Sequence, residues 1–521
     1  MNIILDNLPA LLIAVPLLGA FLVPVIGRFL PKIRDAWIIL VSFLASLAAV
    51  ITAAAVFLKG TLVYVFGAAA VSSAADSGGI PFRIIFTIDG FGAFMLLSAA
   101  IVSFAVVLYL VASQKERSGK SEFYALYLLL TAGIFGMVST GDLFNFFVFL
   151  EINTLAGAAL VSYHRKGGIA VEGALKYLIV NTVGGLMVLF SIGLLYAQYN
   201  SLNMAFLASQ MTWTTLNIVA LVLFITALGM KAGAVPFHFA TPDAYSVAPS
   251  GITAVMVVAS QAGLYGLFRV LFTLYGGSIN TVTIGWVIII LGILSMVIGV
   301  TMALPQKDIK RLLAYHAVSQ TGYMLLGVGV ALAVLGDPAA TAAFGQTAME
   351  GGLFHIINHA LYKGLLFLAV GAVIYRTGVW SLNKLGGLGH NMKWTMVFFL
   401  IGALAIAGIP PFNGFASKLM IYESVFAFNP ALSIIAMVVS ILTLASFMKV
   451  FHSVFMGPRL PEYENVKEVP KLMIAGMIIL TIFVIGFGLV PDLVVDSIVS
   501  PAAAALLNQG SYITAVLGGG L

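Results

Sequence analysis

The sequence predicts an all-α integral membrane protein with about fourteen spans, and three observations lead to this fold class. Hydrophobic residues make up 61% of the 521 residues and charged residues only 8%, whereas soluble domains carry roughly 25% charged residues. A bilayer-spanning helix takes about 20 mostly apolar residues, so this content supplies about fourteen such helices with short connections. Two of the apolar segments are also interrupted by proline and glycine. A soluble globule is therefore excluded.

The spans follow one another along the chain with little sequence between them. The first is preceded by Asp6 instead of a basic segment, so we expect a retained span and not a signal peptide. The fourteen predicted spans cover residues 8–29, 36–58, 90–112, 121–139, 142–163, 173–197, 214–240, 247–271, 282–304, 312–334, 351–375, 392–426 (broken), 430–456 and 471–491.

The distribution of Lys and Arg predicts the topology, because basic residues near span ends stay on the cytoplasmic side. The odd-numbered connections are basic; examples are Arg28, Lys32 and Arg34 in the first, Lys115, Arg117 and Lys120 in the third, and Lys307, Lys310 and Arg311 in the ninth. The basic residues of the even-numbered connections are Lys59, Arg83 and Arg269. This asymmetry predicts a prokaryotic plasma-membrane protein with both termini on the outer face.

Two predicted spans are interrupted at matching places. The seventh contains KAGAVPFHFATPDAY from Lys231, and the twelfth contains IPPFNGFASK, which ends at Lys418. Breaks that lie five spans apart favour two five-helix repeats with ion or substrate sites at the breaks; ordinary proline kinks are the alternative. The predicted units are a three-helix segment 1–112, a first repeat 113–271, a second repeat 272–456, and a last span with a short C-terminal tail 457–521.

The composition also limits the chemistry. The chain has no cysteine, which excludes disulfides, cysteine-ligated iron–sulfur clusters and thiol nucleophiles. We find no phosphate-binding loop, dinucleotide-binding glycine motif or nucleophile elbow. We therefore expect no metal, no other cofactor and no nucleic-acid partner, in a chain without a redox centre of its own; whether it serves an oxidoreductase complex stays open.

Four ionisable residues within the predicted spans are candidates for function. A charge at the bilayer centre costs about 2.5–3.5 kcal/mol, so Glu151, Lys231, Lys363 and Lys418 are expected to face the bundle interior. Glu151 and Lys231 on neighbouring helices can hold each other charged, and their separation would release a proton. The alternative is a static ion pair that fixes helix register.

The eleventh span carries His355, His359 and Lys363 at intervals of four residues. They lie on one helical stripe about 12 Å long, and histidine takes and passes protons near neutral pH. Histidines four apart also bind zinc in HExxH motifs, but Ile356 occupies the glutamate position of that motif. Structural hydrogen bonding is the other alternative.

Further polar residues are predicted to extend this stripe into a hydrated axis. The alternative is a set of independent interhelical hydrogen bonds. Glu423 is expected near the outer end as an acceptor or release group, or else as a solvated helix end, and Lys449 has snorkelling as its alternative. The supporting residues are His238, Gln261, His316, Ser319, Glu423 and Lys449.

At these motifs the chain resembles the antiporter-like membrane subunits shared by respiratory complex I, Mrp-type sodium/proton antiporters, and membrane-bound hydrogenase and sulfane-reductase complexes. The resemblance runs from about Phe86 to Gly457, and it is strongest for the Mrp-type and the hydrogenase or sulfane-reductase subunits. The motifs are GDLFNFFVFLEI with Glu151, MKAGAVPFHFATPDAY with Lys231, DIKRLLAYHAVSQTGYM, FHIINHALYKGLLFL, and PPFNGFASK with Lys418.

The resemblance implies fourteen core helices with inverted five-helix repeats, a functional Glu151–Lys231 pair, and Lys418 as the terminal proton carrier. It also implies partners: further antiporter-like and small membrane chains and, in a redox-driven complex, hydrophilic iron–sulfur subunits. Many relatives carry a lysine where this chain has Gln261, which cannot hold a proton. Either a neighbour such as His355 or Lys363 carries the proton at that point of the path, or the two half-channels are more weakly connected in this chain.

The sequence thus predicts a proton-translocating subunit of a multisubunit membrane complex. It would move H⁺ along a buried Glu/Lys/His axis, coupled to Na⁺/H⁺ exchange or to electron transfer in partner subunits. A Na⁺-translocating subunit and a structural membrane anchor for redox partners are the two alternatives.

Overall fold

The computed structural model describes residues 7–66, 84–114, 119–163 and 168–518. Helices form nearly all of it. The helices of the first half are α1 (Leu8–Phe29), α2 (Arg34–Lys59), α3 (Gly90–Ser113), α4 (Lys120–Ser139), α5 (Leu143–Val161), α6 (Gly168–Tyr199), α7 (Met204–Gln210), α8 (Thr215–Ala232), α9 (Ala240–Val247) and α10 (Ser250–Phe268). A small antiparallel hairpin of β1 (Leu62–Val65) and β2 (Ile85–Ile88) precedes α3.

The second half continues the helical pattern. A π-helical stretch, Arg269–Tyr275, prolongs α10, and another, Thr341–Gly345, precedes α13. The helices are α11 (Thr281–Ala303), α12 (Ile309–Ala333), α13 (Gln346–Thr377), α14 (Lys393–Ala407), α15 (Asn413–Phe428), α16 (Pro430–Phe455), α17 (Lys471–Leu489), α18 (Ser500–Leu507) and α19 (Gln509–Leu517).

Twelve helices of the described part are long and apolar enough to cross a membrane, and a bent C-terminal pair that includes α18 and α19 would make thirteen. Helix α12 has 25 residues but carries many buried polar groups, while α14 and α15 are short because a break separates them. The predicted helical, multi-span membrane fold is confirmed, apart from the small β-hairpin that the sequence did not predict. The number fourteen and the two-repeat arrangement stay predictions.

Both interruptions expected from proline and glycine are present. Helix α8 ends where Gly233 adopts a left-handed conformation (φ 70°), and α14 ends in the same way at Gly408 (φ 78°). Backbone groups freed by such breaks need other partners. At the first break the Val235 amide donates to Ser295 Oγ on α11 at 2.9 Å.

Helices α10 and α13 lie at the centre of the bundle. Helix α13 is buried along its whole apolar length and packs against α10, α12, α14, α15 and α17. Peripheral helices such as α1 and α16 leave about two thirds of their length uncovered, since only 33% of their apolar windows is buried. Polar side chains on α10 and α13 are therefore shielded from lipid by protein.

Three basic residues that the topology argument placed in loops are buried. One is Lys120, which is 4% exposed and pairs with Asp35 at 2.6 Å. Arg269 is 3% exposed and pairs with Asp89. Lys310 is 5% exposed, and its ammonium donates to the Ala248 carbonyl. These residues were assigned to loops because they lie near the ends of predicted spans. Their position in the sequence gives no information about partners that are distant in the chain. Of the other residues used there, Arg83, Lys115 and Arg117 lie outside the described residues.

Candidate functional site

Glu151 on α5 and Lys231 on α8 lie side by side. Lys231 Nζ is 3.7 Å from Glu151 Oε1 and donates a hydrogen bond to Thr154 Oγ1, one turn along α5. At the end of α8, the Lys231 side chain is 8% exposed, and the Glu151 side chain is 23% exposed. Oε1 itself accepts no hydrogen bond from the described residues. The two charged groups are therefore close to each other but are not joined by a direct hydrogen bond.

Two glycines make room for this pair. A Cβ at Gly185 on α6 would lie 2.0 Å from Glu151 Oε1, and a Cβ at Gly263 on α10 would lie 2.9 Å from Lys231 Cβ. Real Cβ atoms do not approach other atoms so closely. The positions of both charged side chains therefore depend on the absence of side chains on the facing helices.

Gln261 on α10 contacts the histidine stripe of α13. Its Nε2 donates to the Ile356 carbonyl at 2.8 Å and lies 2.9 Å from His359 Nδ1. Because an amide nitrogen only donates, His359 Nδ1 must accept, so a neutral His359 carries its proton on Nε2. Gln261 therefore sets the tautomer of the ring beside it.

His355, four residues before His359, joins three helices. Its Nδ1 lies 3.0 Å from Ser417 Oγ on α15, and its Nε2 lies 3.2 Å from Gln320 Oε1 on α12. Tyr362 Oη also lies 3.2 Å from that Nε2. Both ring nitrogens thus have polar partners deep in the bundle.

Lys363 and His316 meet at one aromatic ring. Lys363 Nζ donates to the Leu313 carbonyl at 2.6 Å and lies 5.6 Å from the centroid of the Phe447 ring. His316 packs on the same ring at 4.8 Å, and its Nε2 lies 2.8 Å from Ser446 Oγ. The Lys363 ammonium therefore has a carbonyl and an aromatic face as neighbours.

Lys418 lies against the end of α14, at the second break. Its Nζ donates to the Ile406 carbonyl at 2.7 Å and to Ser440 Oγ at 2.9 Å, and it lies 4.8 Å from the centroid of the Tyr323 ring. Ile406 is in the last turn of α14, where carbonyls have no partner within the helix. Within the described chain, no carboxylate lies within ion-pair distance of either Lys363 or Lys418.

Four predicted supporting residues are not joined to this row by any hydrogen bond in the described part. Ser319 donates to a carbonyl of α11, and Lys449 donates to carbonyls just beyond the end of α11. Glu423 is exposed. His238 lies partly exposed at the first break, and its Nδ1 has no hydrogen-bond partner within the described chain.

Several polar side chains in these networks were not among the predicted site residues. All of them are neutral. A polar residue within an apolar span is visible in the sequence, but the sequence does not show which charged residue it contacts. They are Thr154 beside Lys231, Gln320 and Tyr362 beside His355, Ser440 beside Lys418, and Ser446 beside His316. No cluster of three His, Asp or Glu residues suited to a metal ion occurs in the described ranges.

Comparisons with known proteins agree with these motifs. Residues 140–443 match the family described as NADH:quinone oxidoreductase/Mrp antiporter, transmembrane. The chain is 33% identical to one of the Na⁺/H⁺ antiporter subunits of Alkalihalophilus pseudofirmus over 84% of this chain and 86% of that protein.

Two solved structures share the fold. One is a chain of the Mrp complex of a Dietzia species, with 28% identity, a TM-score of 0.86, and coverage of 99% of this chain and 100% of that one. The other belongs to the membrane-bound sulfane sulfur reductase, an archaeal respiratory membrane complex, with 29% identity, a TM-score of 0.84, and coverage of 98% and 99%. The resemblance drawn from the motifs is confirmed. The chain belongs to the NADH:quinone oxidoreductase/Mrp antiporter transmembrane family, as an antiporter-like subunit of a multisubunit membrane complex.

Proposed function

We propose that this chain translocates protons through the buried polar row that runs from Glu151 and Lys231 to Lys418. The observation that carries the proposal is the burial of Lys363 and Lys418, which are 0% and 1% exposed and whose hydrogen-bond partners among the described residues are all neutral. A purely structural ammonium would be cheaper beside a carboxylate, because an unpaired buried charge is costly. Amines in such sites are suited to exchange a proton.

The Glu151–Lys231 pair would be the switch at one end. With the carboxylate close, Lys231 keeps its proton. When Glu151 moves away, the proton leaves the Lys231 ammonium for water near Gln261, and the His359 ring takes it up once the Gln261 amide has turned away from Nδ1. Gln261 contributes by orienting that ring, although it holds no proton itself. His355, with polar partners on both nitrogens, would connect the stripe to Lys418 through Ser417.

The placement of the chain is part of the same proposal. It would lie in a prokaryotic plasma membrane with both termini outside, built from units 1–112, 113–271, 272–456 and 457–521. Its partners would be further antiporter-like and small membrane chains. Translocation would be coupled to Na⁺/H⁺ exchange, as the name of the Alkalihalophilus relative indicates, or to electron transfer in iron–sulfur partner subunits.

The test uses the intact complex in proteoliposomes, with proton movement followed by a pH-sensitive dye. Glu151→Gln, Lys231→Ala and Lys418→Ala are each expected to abolish proton movement while co-purifying subunits stay associated. Lys467→Ala, at an exposed loop lysine, is the matched control and should behave as wild type. Normal proton movement in all three variants would identify the chain as a structural anchor.

The ion is tested separately by removing Na⁺ from both sides of the membrane while a proton gradient or the redox reaction drives the complex. Proton movement through this chain should persist. Its disappearance, together with ²²Na⁺ uptake that depends on Lys418, would favour Na⁺ as the ion carried by this row.

A further inference from the structure

We propose that Lys310 is the group through which protons pass between the buried row and the membrane face at which α12 begins. The inference rests on the function proposed above and adds to it one residue and one access route. Lys310 lies in the second position of α12 and is buried.

A cavity of about 900 Å³ leads to this lysine. It lies between the ends of α3, α9, α10, α12 and α13, and its lining includes Lys310, Ala248, Ser250 and Gly371. Trp380, also in the lining, is 55% exposed, so the cavity reaches the surface of the chain. It is large enough for many water molecules. We call it the Lys310 cavity.

The nearest charged side chains make their hydrogen bonds and ion pairs with groups other than the Lys310 ammonium, although the Asp308 carboxylate is close enough to favour its charge. Asp308 caps α12 by accepting from the Arg311 amide at 2.9 Å, and the Arg311 guanidinium lies 2.8 Å from Asp243 of α9. Burial raises the pKa of Asp308, and the hydrogen bond from the Arg311 amide and the nearby Lys310 and Arg311 charges partly oppose this shift. No described carboxylate lies within ion-pair distance of Lys310, whose ammonium donates to the Ala248 carbonyl. The titratable groups of the lining are Tyr109, Asp308, Lys310, Arg311 and Tyr375.

One helical turn separates Lys310 from the buried row. Leu313 follows it by three residues, a rise of about 4.5 Å, and the Leu313 carbonyl accepts the hydrogen bond from Lys363 Nζ. The lining of the cavity also contains Gly371, eight residues beyond Lys363 on α13, but not Lys363 itself. Lys310 thus lines the cavity, whereas Lys363 lies behind the lining and contacts the turn of α12 that follows Lys310.

The transfer moves one proton and involves no change of oxidation state. A hydrated proton in the cavity forms an N–H bond with the neutral amine of Lys310. The resulting ammonium gives a proton to an intervening water as that water gives one to the neutral amine of Lys363. Lys310 returns to the amine and Lys363 becomes the ammonium. The reverse sequence releases a proton into the cavity.

A structural role makes a different prediction. An ammonium at the end of α9 stabilises the last carbonyls and the negative end of that helix. Arginine would also do this, since it keeps the positive charge and donates hydrogen bonds, but its guanidinium does not release a proton in proteins. Lys310→Arg therefore separates the two roles.

The experiment uses the intact complex in proteoliposomes. Lys310→Arg should assemble normally and show less than about a tenth of the wild-type rate of proton movement, in line with the loss of a positioned proton-transfer group. Lys307→Arg is the matched control, because Lys307 lies three residues earlier and is exposed; it should keep the wild-type rate. A wild-type rate in Lys310→Arg would overturn the assignment.

A second variant tests the proposal even if the Lys310→Arg protein assembles poorly. Lys310→His restores a group that releases protons, with an unperturbed pKa near 6.5 against about 10.4 for lysine. Its rate per assembled complex should fall with rising pH earlier than the wild-type rate does. An unchanged pH profile would contradict the proposal.

Lys418→Ala in the same assay distinguishes a failure of the proposed function from a failure of the role proposed for Lys310. If it moves protons at the normal rate, the proposed function itself fails. If Lys418→Ala is inactive while Lys310→Arg is fully active, the proposed function stands and only the role of Lys310 fails.

Discussion

At the scale of single residues, the Glu151 carboxylate occupies space that a glycine leaves open. Gly185→Ala would place a Cβ within 2.0 Å of Glu151 Oε1 and push the carboxylate from its position beside Lys231. A displacement of about 1 Å can cost up to about 100-fold in the rate of a positioned reaction. We expect strongly reduced proton movement in the assembled complex, measured with the pH-sensitive dye.

Gly193→Ala is the control for that change. Gly193 lies on the same helix, and a Cβ there would meet no atom of the described residues within 4 Å. Equal rates for the two alanine variants would show that the position of Glu151 does not limit transport.

Gln261 offers a second prediction at this scale. Gln261→Leu removes the donor to His359 Nδ1 and to the Ile356 carbonyl, and unsatisfied buried groups cost about 1–3 kcal/mol. We expect a lower thermal unfolding midpoint and slower proton movement. Ser260→Ala is the control, because Ser260 is only partly buried and bonds within its own helix. A midpoint equal to that of the control would argue against a structural role for the Gln261 amide.

At the scale of elements, the break between α14 and α15 positions Lys418. Gly408 has a φ of 78°, and left-handed backbone costs other residues roughly 1–2 kcal/mol. A Cβ there would also lie 2.9 Å from Lys418 Cδ. Gly408→Ala should therefore lower both the unfolding midpoint and the rate of proton movement.

Gly486→Ala on α17 provides the comparison, because a Cβ there would lie more than 4 Å from every atom of the other helices in the described part of the chain. A helix-interior alanine is more stable than glycine by about 0.5–1 kcal/mol, so this variant should unfold at the same or a higher temperature. A Gly408→Ala protein with wild-type stability and transport would show that the left-handed turn is not needed.

At the scale of the whole molecule, a buried ion pair connects three distant parts of the chain. Arg269 donates to Asp89, which caps α3, and the two are separated by 180 residues. Tyr512 of α19 lies over the same guanidinium at 5.1 Å, and Gln509 Nε2 donates to the Thr273 carbonyl at 3.0 Å. These contacts hold the C-terminal helix α19 against the π-helical extension of α10.

Arg269→Met would leave Asp89 as an uncompensated buried charge. Removing one partner of a buried pair costs about 3–5 kcal/mol, so we expect a large fall in the thermal unfolding midpoint of the purified complex. Adding Asp89→Asn to it should recover much of the loss. Glu172→Gln, at an exposed pair with Lys176, should leave the midpoint unchanged; equal effects of Arg269→Met and Glu172→Gln would contradict this account.

Helix packing decides which side chains meet, and local sequence patterns do not contain that information. The stripe of His355, His359 and Lys363 follows from helical periodicity alone. Its division into separate networks does not, because His359 bonds a residue on α10, whereas His355 bonds residues on α12 and α15. The same limit applies to Lys310 and Arg269, whose loop assignment relied on sequence neighbours while their partners are distant in the chain.

The sequence by itself determined the helical membrane fold, the order of the spans, the two breaks and the family. These depend on local properties: the length of apolar runs, and the backbone preferences of glycine and proline. Tertiary structure alone decided that Lys363 and Lys418 have neutral partners, that Lys310 lines a cavity, and that Arg269 pairs with Asp89. Such contacts join residues far apart in the chain, so they depend on how the helices pack against one another.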